Sequence, residues 1–285
     1  MKYSICGMNA ELNFDSGFQP EVLRTFISDF SGRAQVVIDI RKAEADISIE
    51  ETELLLDDYY KWYRNFLGGT SVYVQEPDGS RLACKIEADN NWENVVITYI
   101  EDIRDIEDVI INHFCYMVFR ISILYNQGLF IHASTFSWNS RGIIVTAPSG
   151  TGKSTHSSLW EKYYGAVVIN DDSPAIRFID GELMIYGNPW SGSSEKFVNT
   201  SVPLSAIVII EQAGENTIRE LDKDEAIRRI LPRFILPFFD TELLSLASKF
   251  IDRIISDIPI YLLRCTPDRA AAELVYERLV HSANI

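Results

Sequence analysis

The sequence has only 4 cysteines, Cys6, Cys84, Cys115 and Cys265, and no two of them form a CxxC pair. That scatter excludes a disulfide framework and gives no zinc signature; it suits reduced core residues in a cytoplasmic protein. Histidine is as scarce, with 4 in the chain. Positive charge is short too: 26 Lys and Arg stand against 41 Asp and Glu, for a net charge of −15 and a pI near 4.7. A polyanionic partner, either nucleic acid or an anionic membrane, is therefore disfavoured. Long uninterrupted apolar runs are also lacking. The most apolar helical stretch, Ile106–Tyr125, is broken by Asn112, His113, Arg120 and Ser122, which fits a buried helix better than a membrane span. No N-terminal stretch joins a basic start to an apolar run and a small-residue cleavage site, so a cytoplasmic location is expected. Repeats and low-complexity segments are absent.

What remains is a chain of 285 residues, 47% hydrophobic, enough for one large or two modest domains. Residues 1–105 read as a small α+β region. Its strands are expected at Tyr3–Cys6, Ala10–Phe14, Gln35–Ile40, Ala45–Ile49 and Val95–Tyr99, with a short amphipathic helix at Pro20–Phe30. Ser71–Gln75 and Arg81–Glu87 flank Pro77-Asp78-Gly79 and should form a hairpin. No motif in this region carries chemistry. Residues 106–285 form the second expected domain, opening on a central helix, Ile106–Asn126. A strand at Leu129–Phe136, a turn at Trp138–Gly142 and a strand at Ile143–Ala147 follow. Asp180-Gly181 is the strongest hairpin signal in the chain. Helices are expected around Glu225–Leu231 and Thr241–Ile255, and a last one opening at Thr266-Pro267-Asp268.

Residues 142–160 read GIIVTAPSGTGKSTHSSLW, an apolar run, a Gly-rich turn and a helix start. This pattern is a phosphate-binding loop whose backbone N–H groups face phosphate oxygens. Its nucleotide-binding residues are Pro148, Ser149, Gly150, Thr151, Gly152, Lys153, Ser154 and Thr155. Lys153 is placed to reach the β- and γ-phosphates, and the Ser154 hydroxyl to ligate Mg²⁺. Ala147 stands where the usual first glycine would be. Downstream, the apolar Val167–Ile169 run ends in Asn170-Asp171-Asp172. A carboxylate beside a phosphate loop can hold Mg²⁺ or accept the proton of an attacking hydroxyl, and two acids allow one for each task. The plainer alternative is a turn pair capping Ser173-Pro174.

Other candidates stay open at this level. His132 lies in an apolar strand, where a histidine is more often a satisfied core residue than a functional one. His156 is either a nucleotide-side neighbour or a surface residue. Gly187–Ser194, rich in small residues around Trp190, is either a backbone approaching a ligand or a structural turn. Glu195 is either a second metal-side carboxylate or solvated. Arg228, Arg229 and Arg233, expected along one helix, and Arg264 are candidate phosphate-stabilising cations; the sequence does not choose among them.

In their order, Ile131-His132-Ala133, the short hairpin, Ala147–Ser154 and Asn170-Asp171-Asp172 resemble HPr kinase/phosphorylase, whose C-terminal domain shares a core with ATP-dependent phosphoenolpyruvate carboxykinase. The resemblance covers roughly residues 128–200. It implies an α/β, P-loop kinase-like mixed sheet of that type, with the small N-terminal α+β region attached. It further implies active-site roles for His132, Lys153, Asp171 and Asp172. Mg²⁺ would be held by Ser154 and an aspartate such as Asp171, with a later glutamate, for which Glu195 is best placed. Residues 187–194 do not reproduce that family's Glu-containing signature, and residues 1–100 do not match its N-terminal domain, so the chain reads as a divergent member.

The expected function is ATP-dependent phosphorylation of a hydroxyl, most readily serine, on a protein, peptide or small molecule, with ATP and Mg²⁺ as cofactors. The resemblance also implies peptide-modification systems as a setting and phosphorylase activity as a reverse reaction. Alternatives are a carboxykinase-like enzyme on a small carboxylic acid and a non-catalytic ATP-binding regulator. A homo-oligomer is compatible with these expectations.

Overall fold

The computed structural model describes residues 1–15, 17–76, 78–100 and 105–282. Its contacts divide the chain into two compact units, Met1–Asn126 with Pro237–Ser245, and Gln127–Leu236 with Leu246 onward. Both are mixed α/β structures built on large mixed sheets.

The first unit carries eight strands: β1 (Lys2–Ile5), β2 (Met8–Phe14), β3 (Val36–Lys42), β4 (Glu53–Asp57), β5 (Lys61–Arg64), β6 (Thr70–Gln75), β7 (Leu82–Ala88) and β8 (Asn94–Tyr99). They lie in the order β1-β2-β3-β8-β7-β6-β5-β4. β2, β3 and β8 run parallel and the other neighbours antiparallel. The expected helix at Pro20–Phe30 is only a 3-10 turn, Glu21–Phe26. Ala45–Ile49 forms no strand, because those residues and their flanks present no buried face. β4 and β5 were not expected; Trp62 in β5 is buried and stacks on Phe239 at 4.1 Å. The β6/β7 hairpin forms as its turn signal predicts, although Pro77 lies outside the described residues. Glu51 sits in a buried polar knot, where it accepts hydrogen bonds from Ser71 Oγ at 2.6 Å and from the Tyr73 hydroxyl.

The seam expected at 105/106 adjoins residues 101–104, which are outside the described residues. Helix α1 (Ile106–Tyr125), π-helical over Ile110–Cys115, groups with the first unit. Two hydrogen bonds explain this: Ser122 Oγ donates to Trp92 O and the Tyr125 hydroxyl to Asn90 O, both at 2.8 Å. Among the described residues α1 alone is long and apolar enough to cross a membrane, and 61% of its most apolar window is buried inside the protein.

The second unit begins with β9 (Gly128–Phe130), β10 (Ser134–Trp138), β11 (Arg141–Thr146), α2 (Lys153–Tyr164) and β12 (Val167–Asn170). There follow β13 (Ala175–Ile179), β14 (Glu182–Tyr186), β15 (Ser201–Gln212), β16 (Thr217–Glu220), α3 (Lys223–Ile230), α4 (Thr241–Asp257, whose residues up to Ser245 group with the first unit), β17 (Ile260–Cys265) and α5 (Arg269–Ser282). β15 joins two sets of strands. Its first residues pair antiparallel with β14, which leads on to β13 and β9. Farther along it runs parallel between β11 and β17.

Local chemistry sets the turns. Asn139-Ser140 and Asp180-Gly181 take positive φ in two-residue hairpin loops, the geometry that matches strand twist. The last helix starts at Arg269, two residues later than a Thr266 cap with Pro267 first would place it, since Asp268 Oδ1 caps the N–H of Ala271 at 3.1 Å. α2 is fixed by Trp160, fully buried and stacked on Phe136 at 4.8 Å. Burying an aromatic of this size stabilises by roughly 2–3 kcal/mol.

Candidate active site

Strand direction brings the sequence motifs together. β10 runs antiparallel to both neighbours, pairing Ser134 with Val145 of β11 and Thr135 with Asn170 of β12. The residues just before β10 must then lie beside those just after β11 and β12. Those residues are His132, the loop 147–152 and Asp171-Asp172.

The strand expected over Leu129–Phe136 is interrupted for this purpose. β9 pairs with β13, and the chain then leaves that set to join β11 and β12 as β10. At the crossover the His132 N–H donates to Arg233 O at 2.8 Å, the Ala133 N–H to Asp172 O at 2.9 Å, and Thr146 Oγ1 to His132 O at 2.8 Å. Histidine 132 is thereby fixed by its backbone on both sides.

The Gly-rich loop follows β11 and feeds α2. Gly150 and Gly152 take φ of 75° and 111°, dihedrals that L side chains rarely adopt. Ala147, in place of a glycine, is fully buried and packs in the core with Val145 and Trp160. A polar cavity of about 480 Å³ opens here, lined by Ser149, Gly150, Gly152, Lys153, Ser154 and Thr155 from the loop and helix. Opposite them stand His132, Asp171, Asp172, Ser191, Gly192 and Ser194.

A chain of three side chains crosses this cavity. Lys153 Nζ lies 3.1 Å from His132 Nε2 and 3.3 Å from Ala147 O, and His132 Nδ1 lies 3.2 Å from Asp172 Oδ1. An ammonium donates to Nε2, so the compatible tautomer carries its proton on Nδ1 and donates it to Asp172. The His132 hydrogen bond holds the Asp172 carboxyl below its ordinary value, with the Lys153 charge acting the same way. Burial lowers the Lys153 ammonium below its usual range; Arg233 adds to this, while Asp172 and Asp171 oppose it.

Asp171 differs from its neighbour. Its Oδ1 is buried with no hydrogen-bond partner, and an unpaired buried carboxylate oxygen is costly unless a cation or donor meets it. With the Ser154 hydroxyl on the same cavity, it offers the hard oxygens that suit Mg²⁺. Among the described residues no three His, Cys, Asp or Glu side chains group as a metal site. One or two protein oxygens completed by substrate phosphates is the ordinary Mg²⁺ arrangement, and these residues fit it. Glu195 does not line this cavity; it is exposed, in a left-handed conformation after the Gly192–Ser194 turn. Pro148 is exposed and Thr151 half-buried, and neither lines it.

Asn170 and Asn188 hold the segment around the acid pair in place, a part that the sequence motifs did not assign to either of them. Asn170 is fully buried, and its Nδ2 donates to Asn188 O, Asn188 Oδ1 and Trp190 O at 3.1–3.3 Å. Its Oδ1 accepts from the N–H groups of Asp172 and Ser173 at 3.0 and 2.8 Å. Asn188 Nδ2 donates to Ser173 O at 2.7 Å, and its Oδ1 accepts from Trp190 N at 2.9 Å. The two amides clamp the segment carrying both aspartates to the 187–194 loop. That loop is therefore a structural turn with a task, and its small residues have a steric cause. A Cβ on Gly192 would come within 2.9 Å of Asp172 Cβ. The available signal was an asparagine immediately before the acid pair.

Among the arginines, Arg233 is the one whose charge acts on Lys153. It follows α3 in the turn Leu231–Arg233, because Pro232 cannot continue the helix. Arg229 is paired with Glu211 and Glu225, Arg264 lies 3.8 Å from Glu211, and Arg228 is exposed.

The model of a family described as "SynChlorMet cassette protein ScmC" matches residues 96–234, a little under half of the chain and inclusive of every residue lining the cavity. No curated protein matches. Among solved structures, the chain is similar to the Hpr(Ser) kinase/phosphatase from Coxiella burnetii at 14% identity, over 54% of this chain and 90% of that one, with a TM-score of 0.31. That score is too low to establish a shared fold.

Proposed function

We propose that this protein is an ATP-dependent kinase that transfers the γ-phosphoryl group to a hydroxyl, most readily a serine's, on a protein, peptide or small molecule. One observation carries the reading: a Gly-rich loop, its lysine, a histidine and two carboxylates line a single cavity, with Lys153, His132 and Asp172 in hydrogen-bond sequence. Loop N–H groups and Lys153 would bind the phosphates, Lys153 exchanging Ala147 O for phosphate oxygens. Asp172, kept anionic and oriented by His132, would accept the acceptor's hydroxyl proton. The hydroxyl oxygen then bonds to the γ-phosphorus, the bond to the β–γ bridging oxygen breaks, and ADP leaves. Ser154 and Asp171 would hold Mg²⁺, which neutralises phosphate charge when bound. Such catalysis is mostly positioning and charge stabilisation.

The acidity of the chain supports a partner other than nucleic acid, and the absence of any CxxC pair among its 4 scattered cysteines supports a cytoplasmic location. The matching family's description as a cassette protein supports an acceptor encoded beside it. The test is mass spectrometry of phosphate transfer from Mg-ATP to free serine, a histidine-containing carrier protein and a peptide from a neighbouring gene, offered side by side. Lys153→Ala should reduce transfer by at least 10³-fold with the fold intact, about 4 kcal/mol of lost transition-state stabilisation. Equal transfer by wild type and variant refutes the reading.

A further inference from the structure

The two ends of the eight-stranded sheet in the first unit differ. β1 is covered, since Tyr3 bridges Ile27 and the Ser28 N–H donates to Lys2 O at 3.1 Å. At the other end β4 pairs with β5 alone, and among the described residues no further strand or isolated bridge meets it. Its outer edge therefore presents main-chain N–H and C=O groups to solvent, a template for one more strand.

The surroundings of this edge are both apolar and acidic. Leu54, Tyr59, Phe66 and Leu67, along the β4/β5 hairpin and the turn after it, are 49%, 78%, 77% and 85% exposed. Apolar side chains gathered in this way mark a contact surface, whereas ones scattered singly do not. Residues 43–60 hold seven carboxylates and no Lys, Arg or His. Glu51 is used inside the buried polar knot. Glu53, Asp57 and Asp58 are exposed, and among the described residues none of them has an ion-pair partner. Arg64, opposite Glu53 in register, pairs instead with Asp240 at 3.5 Å, and Lys61 stands opposite Asp57 without forming an ion pair.

This charge also argues against a second copy of the chain as the occupant. Two such edges side by side would set carboxylate against carboxylate. Leu55, the extra residue of a bulge against β5, further twists the edge away from flat self-pairing.

We propose that β4 is a docking strand for an extended basic segment of a partner polypeptide, which joins the sheet as a ninth strand. Main-chain hydrogen bonds form along the open edge, Lys or Arg side chains of the segment meet Glu53, Asp57 and Asp58, and its apolar side chains cover Leu54 and Tyr59. In strand addition of this kind the backbone supplies affinity and the alternate side chains supply selectivity. Docking needs no nucleotide, so it stands or falls apart from the kinase reading.

The experiment is fluorescence anisotropy with the full chain and a labelled peptide of alternating lysine and valine. A version with glutamate for lysine should bind at least tenfold more weakly. So should at least one of two versions N-methylated at alternate residues, each of which keeps the charge and blocks one edge of the peptide strand. The double variant Glu53→Lys, Asp57→Lys, altered only at exposed positions, should also bind the lysine peptide at least tenfold more weakly. Equal binding of all the peptides, or by variant and wild type, overturns the proposal, as does no binding of the lysine peptide at all. Hydrogen exchange on the wild-type protein removes any dependence on the variant's folding. Slowed exchange within residues 53–57 when the peptide is added supports docking at β4, and slowing confined to other segments overturns it. The same slowing with rising protein concentration and no peptide assigns the edge to a second copy and overturns it too.

Discussion

Removing the carboxamide of Asn170 should destabilise the fold around the candidate site, because it is fully buried and bonded on both sides. Asn170→Ala deletes five hydrogen bonds at a fully buried position. Four backbone groups, the N–H of Asp172, the N–H of Ser173 and the carbonyls of Asn188 and Trp190, lose their Asn170 partner. A net hydrogen bond contributes about 1 kcal/mol, and a buried group left unsatisfied costs about 1–3 kcal/mol. Water entering the vacated volume returns part of this, so about 3 kcal/mol is the expected loss. That leaves a folded protein against a usual total of roughly 5–15 kcal/mol. Asn170→Asp keeps the shape but turns a carboxylate oxygen toward three acceptor oxygens, and should be worse at neutral pH, recovering as the medium is acidified. Asn188→Ala should resemble Asn170→Ala, and because the two amides share bonds, the double variant should lose less than the sum. Urea denaturation followed by fluorescence gives the stabilities, and phosphotransfer kinetics should show kcat falling more than KM rises as the aspartates lose their placement. Single losses under about 0.5 kcal/mol, or strict additivity, would refute the clamp.

His132→Ala removes the main group holding Asp172 below its ordinary value. A depressed carboxyl contributes stability above its unfolded pKa and loses it as pH falls through the folded value. The acid limb of the kcat/KM profile should therefore move to higher pH in this variant; an unmoved limb would separate His132 from the ionisation of Asp172. In the first unit, burial alone would raise the Glu51 carboxyl, but hydrogen bonds from Ser71 and Tyr73 outweigh it and hold it low. Glu51→Ala strands both hydroxyls, and Tyr73, whose own pKa is pushed up to about 12 by burial and by Glu51, loses its acceptor. A loss of about 2–4 kcal/mol is expected in urea unfolding at pH 7, shrinking as pH falls below the carboxylate range. A wild-type stability independent of pH there would contradict it.

Much of the second unit could be read without coordinates because its signals are local. The Asp180-Gly181 hairpin forms where the dipeptide places it, since its positive φ angles are a property of those two residues. The glycines of the loop and the apolar run before them are equally local. Reading failed where burial on a distant partner decided the outcome. Ala45–Ile49 has strand-like residues but no buried face, whereas the shorter β5 is held by Trp62 stacking on Phe239, far away in sequence. The expected continuous strand around His132 breaks because its two halves pair with different neighbours.

The sequence by itself determined the chemistry available here: a loop able to face phosphate, an ammonium, a hydroxyl, two adjacent carboxylates. Those are properties of side chains and of a few consecutive dihedrals. Only the tertiary structure decided which of them meet. The antiparallel run of β10 carries His132 to the ends of β11 and β12, and the Asn170–Asn188 clamp then sets the aspartates against the loop. The turn at Pro232 takes Arg233 out of α3, its charge acts on Lys153, and Glu195, close in sequence to the cavity, stays outside it. Proximity of this kind depends on strand direction and register, which are fixed by pairing between segments remote in the chain.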